Sequence, residues 1–174
     1  MAEFNPNVWA PWRMAYIDSL GGSGNGCFLC AHAQTPAADQ GNHVLWRSPN
    51  TLVLLNRFPY STGHLLIAPT AHQGELEDLP DEVLCEMFLR TRDAKRVLQK
   101  ALAPQGFNIG LNLGRCAGAG LPEHVHLHIV PRWAGDTNFM PVLADIKVIP
   151  EAIDRTFAKL VQAAKELGLH SSDG

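Results

Sequence analysis

The run of alternating histidines and aliphatic residues at 124–130 constrains the fold of this chain more than any other feature. Its order is His-Val-His-Leu-His-Ile-Val. Successive side chains of a β-strand point to opposite faces, so the run predicts a strand with three imidazoles on one face and aliphatic side chains on the other. With eight histidines in 174 residues, the number of His-x-His-x-His runs expected by chance is on the order of 0.02. The run is therefore not an accident of composition.

Four further strand-forming runs and two helical patterns accompany it. The runs at 43–47, 51–55, 64–69 and 107–113 are short, and residues that favour turns separate several of them. Apolar residues recur at helical spacing from Leu79 to near Pro104, and again over about 150–168. Several connections have the length of a hairpin. The sequence therefore predicts an α+β fold, with a mostly antiparallel five-stranded sheet, a long helix and a C-terminal helix.

Length and composition exclude several classes of protein. A chain of 174 residues fits a single domain, 1–174, which we expect to carry an irregular N-terminal arm over about 1–42. A formal net charge of −3 argues against nucleic acid as a partner. The sequence shows neither a signal-peptide pattern nor an apolar run of about 18 residues, so we expect a cytoplasmic protein without membrane association.

Three interpretations of the histidine run remain open from the residues alone. The imidazoles could hold one metal ion, they could form a polar face without chemistry, or one could act as a nucleophile that the others support. The third is chemically reasonable because a neutral imidazole is available near pH 7 and its phosphoramidate is labile enough to turn over.

The wider pattern resembles the histidine triad family of nucleotidyl hydrolases and transferases. The family signature is His-φ-His-φ-His-φ-φ, where φ is aliphatic, and it is present at 124–130. Asn56 with Gly63-His64 resembles the nucleoside-binding segment of the fragile-histidine-triad branch. Four runs are similar to bacterial diadenosine tetraphosphate phosphorylases, also called ATP adenylyltransferases: 9–14, 112–114, 117–120 and 130–133. The resemblance extends over about residues 9–150.

This resemblance implies a covalent mechanism. In the family, the middle imidazole attacks the α-phosphorus of an adenosine 5′-phosphate ester or anhydride, and water or phosphate then resolves the nucleotidyl-histidine. By this likeness His126 is the nucleophile, and His128 donates a hydrogen bond to a phosphate or leaving-group oxygen. His64 matches a family histidine that packs behind the triad and holds its tautomers. The alternative for His64 is an ordinary solvated or capping residue.

The same likeness implies a phosphate-binding loop before the histidine run. Gly114, Gly118 and Gly120 would let backbone N–H groups approach phosphate oxygens, and Asn112 would add an amide donor. A glycine-rich loop by itself is more often a turn. Gly120 also departs from the fragile-histidine-triad branch, which has a glutamine four residues before the first histidine.

The nucleoside would bind between an apolar slot and a hydrogen-bonding side chain. The resemblance assigns Leu54 and Leu66 to the slot for adenine and Asn56 to the ribose. Each leucine is equally well explained as a core residue, and Asn56 as part of a turn.

A second candidate site contains two cysteines. Cys27 and Cys30 have the C-x2-C spacing of a metal site, which requires two more nitrogen or sulfur ligands for tetrahedral zinc. Zinc-binding relatives use a histidine after the proline-containing strand and the first triad histidine, so the resemblance implies His72 and His124. Zinc would then hold the N-terminal arm to the sheet. The alternative is a reduced thiol pair beside unrelated histidines.

The combined prediction is an enzyme that cleaves diadenosine polyphosphates through His126, with phosphate or water as the acceptor and without an organic cofactor. We expect a homodimer or a higher homo-oligomer. Two alternatives belong to other classes: a nucleotide-binding module with weak catalysis, and a metal hydrolase in which His124, His126 and His128 bind one ion.

Overall fold

A computed structural model describes residues 26–136 and 149–169. Its strands are β1 (Val44–Arg47), β2 (Thr51–Leu55), β3 (Leu65–Pro69), β4 (Gly106–Leu111) and β5 (Leu127–Arg132). They form one antiparallel sheet in the order β1-β2-β3-β5-β4. The helices are α1 (Phe28–Gln34), α2 (Asp81–Leu102) and α3 (Ile153–Glu166). The predicted α+β architecture is confirmed.

Local sequence explains the boundaries of α2. Asp81 and Glu82 occupy its first turn, where acidic side chains interact favourably with the positive end of the helix dipole. Ala103 follows the last turn in the left-handed region, with φ of 45°, and Pro104 cannot continue the helix. Seven residues of α2 are buried, and five of them, Val83, Met87, Ala94, Val97 and Leu98, belong to the main apolar cluster.

The two faces of the sheet carry separate apolar clusters. The larger cluster fills the space between the sheet, α2 and α3; its most buried members include Leu65, Ile67, Leu98, Ile129 and Leu160. The smaller cluster lies on the other face and includes Leu29 of α1 with Val44, Leu52, Leu54, Leu66 and Ala68. The second face of the sheet is therefore apolar, and a ligand bound there would contact this apolar surface.

One row of opposed residues crosses the second face of the sheet. Leu54 opposes Leu66, Leu66 opposes His128, and His128 opposes Gly110. Directly opposed residues of antiparallel strands point to the same face. His128 therefore lies beside the two leucines that were predicted to form the nucleoside slot.

The histidine run differs from its prediction at one end. We expected a strand over 124–130, but β5 begins at Leu127, so His124 and His126 precede it. The Val125 N–H donates instead to the carbonyl oxygen of Gln73 at 2.7 Å, outside the sheet ladder. The reason is a tertiary contact: the hydrogen bond from Val125 to Gln73 holds this part of the chain against the loop after β3, so pairing with the sheet begins only at Leu127.

The segment predicted as an irregular arm also differs within the part that the structure describes. It forms α1 and a 3₁₀ turn at Pro36–Ala38. Arg47 of β1 donates to the carbonyl oxygens of His32 and Ala33, at 2.6 and 3.0 Å, and thereby satisfies the end of α1. Residues 9–14, which contributed to the resemblance, lie outside the described residues. Within 26–136 and 149–169, each helix is too short or too polar to cross a bilayer.

Candidate active site

The start of β5 brings the three histidines of the run into a buried position. His124 is fully buried, while His126 and His128 keep 8% and 9% of their surface exposed. The ring centroids of His126 and His128 lie 4.8 Å apart. The three rings face different partners, and the atoms that contact their nitrogens decide what each can do.

The ring of His126 is held by the main chain. Its Nδ1 lies 2.8 Å from the carbonyl oxygen of His124. A carbonyl only accepts hydrogen bonds, so Nδ1 carries the proton and Nε2 keeps its lone pair. Burial lowers the pKa of His126 below its ordinary value, which keeps the ring neutral near pH 7. His126 can therefore act as a nucleophile through Nε2.

His128 lies between two polar side chains. Its Nδ1 is 2.9 Å from Nε2 of the fully buried His64, and its Nε2 is 3.4 Å from the side-chain amide of Asn112. His64 is thus a buried, hydrogen-bonded residue rather than a solvated one. The structure brings His126, His128, His64 and Asn112 into one cluster, which we call the triad cluster.

A single ion bound by all three histidines of the run is incompatible with this arrangement. The Nδ1 of His124 faces the Sγ of Cys27 at 3.1 Å, and its Nε2 lies 2.9 Å from the carbonyl oxygen of Pro69. One nitrogen of each other ring is also engaged away from a common centre. The alternative of a three-histidine metal hydrolase is therefore not supported, since the group of convergent ligand atoms found among the described residues takes only His124 from the run.

Four residues form a second group that could hold a metal ion. One ligand atom from each of Cys27, Cys30, His72 and His124 lies within 4.8 Å of the others. The carbonyl oxygen of Pro69 requires a proton on Nε2 of His124, so Nδ1 presents its lone pair to the thiols. Burial raises the pKa of the Cys27 thiol to about 11. A divalent cation would reverse that preference by binding the thiolate.

A close approach of two loops places His72 near His124. A Cβ on Gly74 would lie 2.8 Å from the carbonyl oxygen of Pro122 and 3.2 Å from the Cα of Glu123. Only glycine fits there without moving backbone. The loop after β3 can therefore lie directly against the residues that precede the histidine run.

The predicted nucleoside residues line one cavity of about 790 Å³. Leu54 and Leu66 contribute apolar surface, and Asn56 lies beside them at the end of β2. The Asn56 Oδ1 accepts the N–H of Phe58 at 2.9 Å, so the side chain also shapes the loop that follows. Both interpretations of Asn56 therefore describe real features: it stabilises a turn, and it faces the cavity.

One amide of the glycine-rich loop is already hydrogen-bonded within the loop. The Gly118 N–H donates to the carbonyl oxygen of Arg115 at 3.0 Å, and Gly118 has a φ of 88°. The amide that was assigned to phosphate is thus used within the turn, and the glycine is required by the backbone conformation. Gly114 has a φ of 76° for the same reason, and Gly120 ends the loop four residues before His124.

Sequence reasoning did not single out Tyr60, which contacts the triad cluster. Its ring lies 4.6 Å from that of His64 and 5.8 Å from that of His128. His43 and Asp154 were also missed; they pair at 2.8 Å and line the cavity. An aromatic residue four positions before His64 was the only available signal for Tyr60, because the contact depends on how the loop folds back.

Comparison with known proteins agrees with this site. A family profile described as HIT domain matches residues 38–135, and the chain belongs to the histidine triad family. It is 38% identical over 154 residues to the AP-4-A phosphorylase of Mycobacterium tuberculosis, covering 86% of this chain and 79% of that protein.

Two further proteins extend the comparison. The asymmetrical bis(5'-nucleosyl)-tetraphosphatase of Schizosaccharomyces pombe is 33% identical over 96 residues, 55% of this chain and 52% of that protein. The crystal structure of a Zn-bound histidine triad family protein from Mycobacterium smegmatis superposes with a TM-score of 0.66 at 27% identity. It covers 82% of this chain and 96% of that one.

Proposed function

We propose that this protein is a diadenosine tetraphosphate phosphorylase in which His126 forms a covalent adenylyl intermediate. One observation carries the proposal: the hydrogen bond between Nδ1 of His126 and the carbonyl oxygen of His124 leaves the lone pair of Nε2 available. The relatives named above act on dinucleoside polyphosphates by their names, which supports the substrate class.

The reaction takes two displacements at one phosphorus. The Nε2 of His126 attacks the α-phosphorus, an N–P bond forms, and the bond to the bridging oxygen breaks and releases ATP. The carbonyl oxygen of His124 stabilises the positive charge that develops on the ring. An oxygen of inorganic phosphate then attacks the same phosphorus, breaks the N–P bond and forms ADP. His128, which adjoins His126, donates to the leaving oxygen.

The nucleoside occupies the cavity beside this cluster. Leu54 and Leu66 contact the adenine, and Asn56 binds the ribose, as the family likeness implies. The row from Leu54 to His128 supports this placement, because it aligns the apolar slot with His128 on one face. Asn112 contacts a phosphate oxygen, with Gly120 at the end of the same loop. The engaged amide of Gly118 gives no support to a phosphate contact at that residue.

The proposal also specifies the acceptor of the adenylyl group, which is phosphate rather than water. The 38% identical relative is named a phosphorylase and the 33% identical one a tetraphosphatase. The first match covers more of this chain and favours phosphate over water. Hydrolysis is the second candidate, and it needs only that water replace phosphate in the second displacement.

Zinc is proposed as a structural cofactor bound by Cys27, Cys30, His72 and His124. The donor set suits tetrahedral zinc, and the arrangement of the four ligand atoms supports it. A bound zinc would stabilise the thiolates and hold α1 against the loop after β3. It would also fix His124, whose carbonyl oxygen orients His126.

A homodimer with joined sheets completes the proposal. β4 lies at one edge of the sheet that the structure describes, and Ile109 on it is 48% exposed. An exposed strand edge favours pairing with a second copy. Sedimentation of the purified protein as a monomer at micromolar concentration would contradict the dimer.

Product analysis with diadenosine tetraphosphate tests the activity. We expect ADP and ATP in the presence of inorganic phosphate and little cleavage without it. AMP and ATP formed in buffer alone would identify a hydrolase instead. Binding of AMP without cleavage under either condition would overturn both and favour a nucleotide-binding module.

A further inference from the structure

Tyr60 contacts the triad cluster through both its main chain and its ring. The Tyr60 N–H donates to Nδ1 of His64 at 3.0 Å. The phenol ring stacks on His128 at an interplanar angle of 27° and is tilted by 31° against His64. Tyr60 lies in the loop that joins β2 to β3, four residues before His64.

The main-chain contact determines which nitrogen of His64 carries a proton. A backbone N–H can only donate, so Nδ1 of His64 must be unprotonated. The neutral ring then carries its proton on Nε2, which lies 2.9 Å from Nδ1 of His128. The proton makes that nitrogen of His64 the donor. Nδ1 of His128 is therefore the acceptor, and the proton of His128 is on Nε2.

Two side-chain amides can be checked against this assignment. The Nδ2 of Asn56 lies 3.3 Å from Nδ1 of His64, which agrees with an acceptor there. The Nδ2 of Asn112 lies 3.4 Å from Nε2 of His128, where two donors would meet. The oxygen and nitrogen of a side-chain amide can be exchanged, whereas a main-chain N–H cannot. With the two amide positions exchanged, Oδ1 of Asn112 would face Nε2–H of His128 until a leaving oxygen takes its place.

We propose that Tyr60 is a positioning residue whose main-chain N–H sets the tautomers of His64 and His128, so that His128 presents Nε2–H to the leaving oxygen. The ring of Tyr60 contacts both imidazoles, stacked on His128 and tilted against His64, and keeps them in this orientation. The assignment of tautomers stands on the hydrogen bonds alone. Its effect on turnover rests on the proposed function.

Two variants separate the contribution of the N–H from that of the ring. Tyr60→Ala removes the ring and keeps the N–H, while Tyr60→Pro removes both. Long-range ¹H–¹⁵N spectra of the zinc-loaded protein at about pH 8, where imidazoles are neutral, report which nitrogen of each histidine is protonated. We expect the wild-type protein and Tyr60→Ala to keep His64 and His128 protonated on Nε2. Tyr60→Pro should give a mixture of tautomers at both residues.

If Tyr60→Pro does not fold, an ester bond at the same position tests the same hydrogen bond. Replacing Tyr60 by its α-hydroxy acid analogue removes only the N–H and retains the ring. The same replacement at Phe58 is the matched control, because it removes an N–H of the same loop that donates to Asn56 instead of His64. We expect mixed tautomers in the first ester and wild-type tautomers in the second.

Kinetics supply the second readout. Loss of the Tyr60 N–H should lower kcat by about tenfold or more, relative to the variant that keeps it, with a smaller change in KM. Unchanged His64 and His128 tautomers in the Tyr60 ester would overturn the proposal, whatever the activity. Changed tautomers in a protein that never cleaves diadenosine tetraphosphate would uphold the positioning role and refute only the proposed function.

Discussion

The imidazoles of this protein differ in what contacts their ring nitrogens. A carbonyl oxygen holds Nδ1 of His126 and leaves the lone pair of Nε2 available. A second carbonyl holds Nε2 of His124, whose Nδ1 faces the Cys27 thiol. A neighbouring imidazole engages Nδ1 of His128. The three rings therefore expose different nitrogens, because neutral imidazole has one donor and one acceptor and the contacting atoms determine which nitrogen is which.

The residue-scale prediction concerns His126. His126→Ala should reduce phosphorolysis of diadenosine tetraphosphate by about three to six orders of magnitude, since the covalent step needs Nε2. Mass spectrometry of the wild-type enzyme incubated without phosphate should show an acid-labile adenylyl adduct, and the variant should lack it. Zinc content and circular dichroism should stay at wild-type values, as His126 is not among the four candidate ligands. An adduct of equal yield on His126→Ala would exclude this nucleophile.

At the scale of elements, the loop from β2 to β3 organises the triad cluster. It carries Asn56 at its start and Tyr60 at its centre, and it ends at His64. Gly63 allows the loop to close, because its φ is 78° and a Cβ there would lie 2.5 Å from Cδ1 of Leu102 and 3.1 Å from Cδ2 of Leu98. The loop therefore packs against the end of α2 at a position where an added Cβ would displace the Leu102 side chain.

The element-scale prediction is a loss of stability in Gly63→Ala. The left-handed conformation and the contacts with α2 should together reduce the free energy of unfolding by about 1–3 kcal/mol. Urea denaturation measures it. Gly106→Ala is the matched control: Gly106 lies in β4 and a Cβ there meets nothing within 4 Å, so a change within about 0.5 kcal/mol is expected. Equal effects of the two substitutions would show that close packing at Gly63 is unimportant.

At the scale of the whole molecule, the four candidate metal ligands join three separate parts of the chain. Cys27 and Cys30 belong to the start and body of α1, His72 to the loop after β3, and His124 to the segment before β5. Since the carbonyl oxygen of His124 also contacts His126, a metal ion at this group would share one structural support with the triad cluster.

The prediction at this scale is that zinc stabilises the fold. We expect about one zinc per chain in purified protein, and removal by a chelator should lower the melting temperature by about 5 °C or more. Cys27→Ser should lose most of the zinc. Cys85→Ser should keep it, because Cys85 is an exposed thiol on α2. Elemental analysis measures the zinc content, and calorimetry measures the melting temperature with and without the chelator. A zinc content well below one per chain, or the same melting temperature in both conditions, would contradict the proposal.

Much of the fold could be read from local patterns. β2 occupies 51–55 as predicted, because turn residues precede it and a run of aliphatic residues fills it. α2 likewise begins and ends at proline-marked boundaries. The start of β5 could not be predicted, because it depends on a bond from Val125 to Gln73. α1 was missed because Arg47, a residue of the following hairpin, satisfies its last carbonyl groups.

The sequence by itself identified most of the residues that form the triad cluster and the metal group. They lie in the run 124–130, in the C-x2-C pair and in the segment 56–64. His72 and Asn112 are the two members outside these three segments. Only the tertiary structure decided which nitrogen of His124 and of His128 carries the proton. The partners that set the tautomers of His124 and His128 are Pro69 and His64, 55 and 64 positions away in the chain. Which nitrogen of a neutral imidazole carries the proton depends on the atom that contacts the ring, and the histidine residue alone does not show which atom that is.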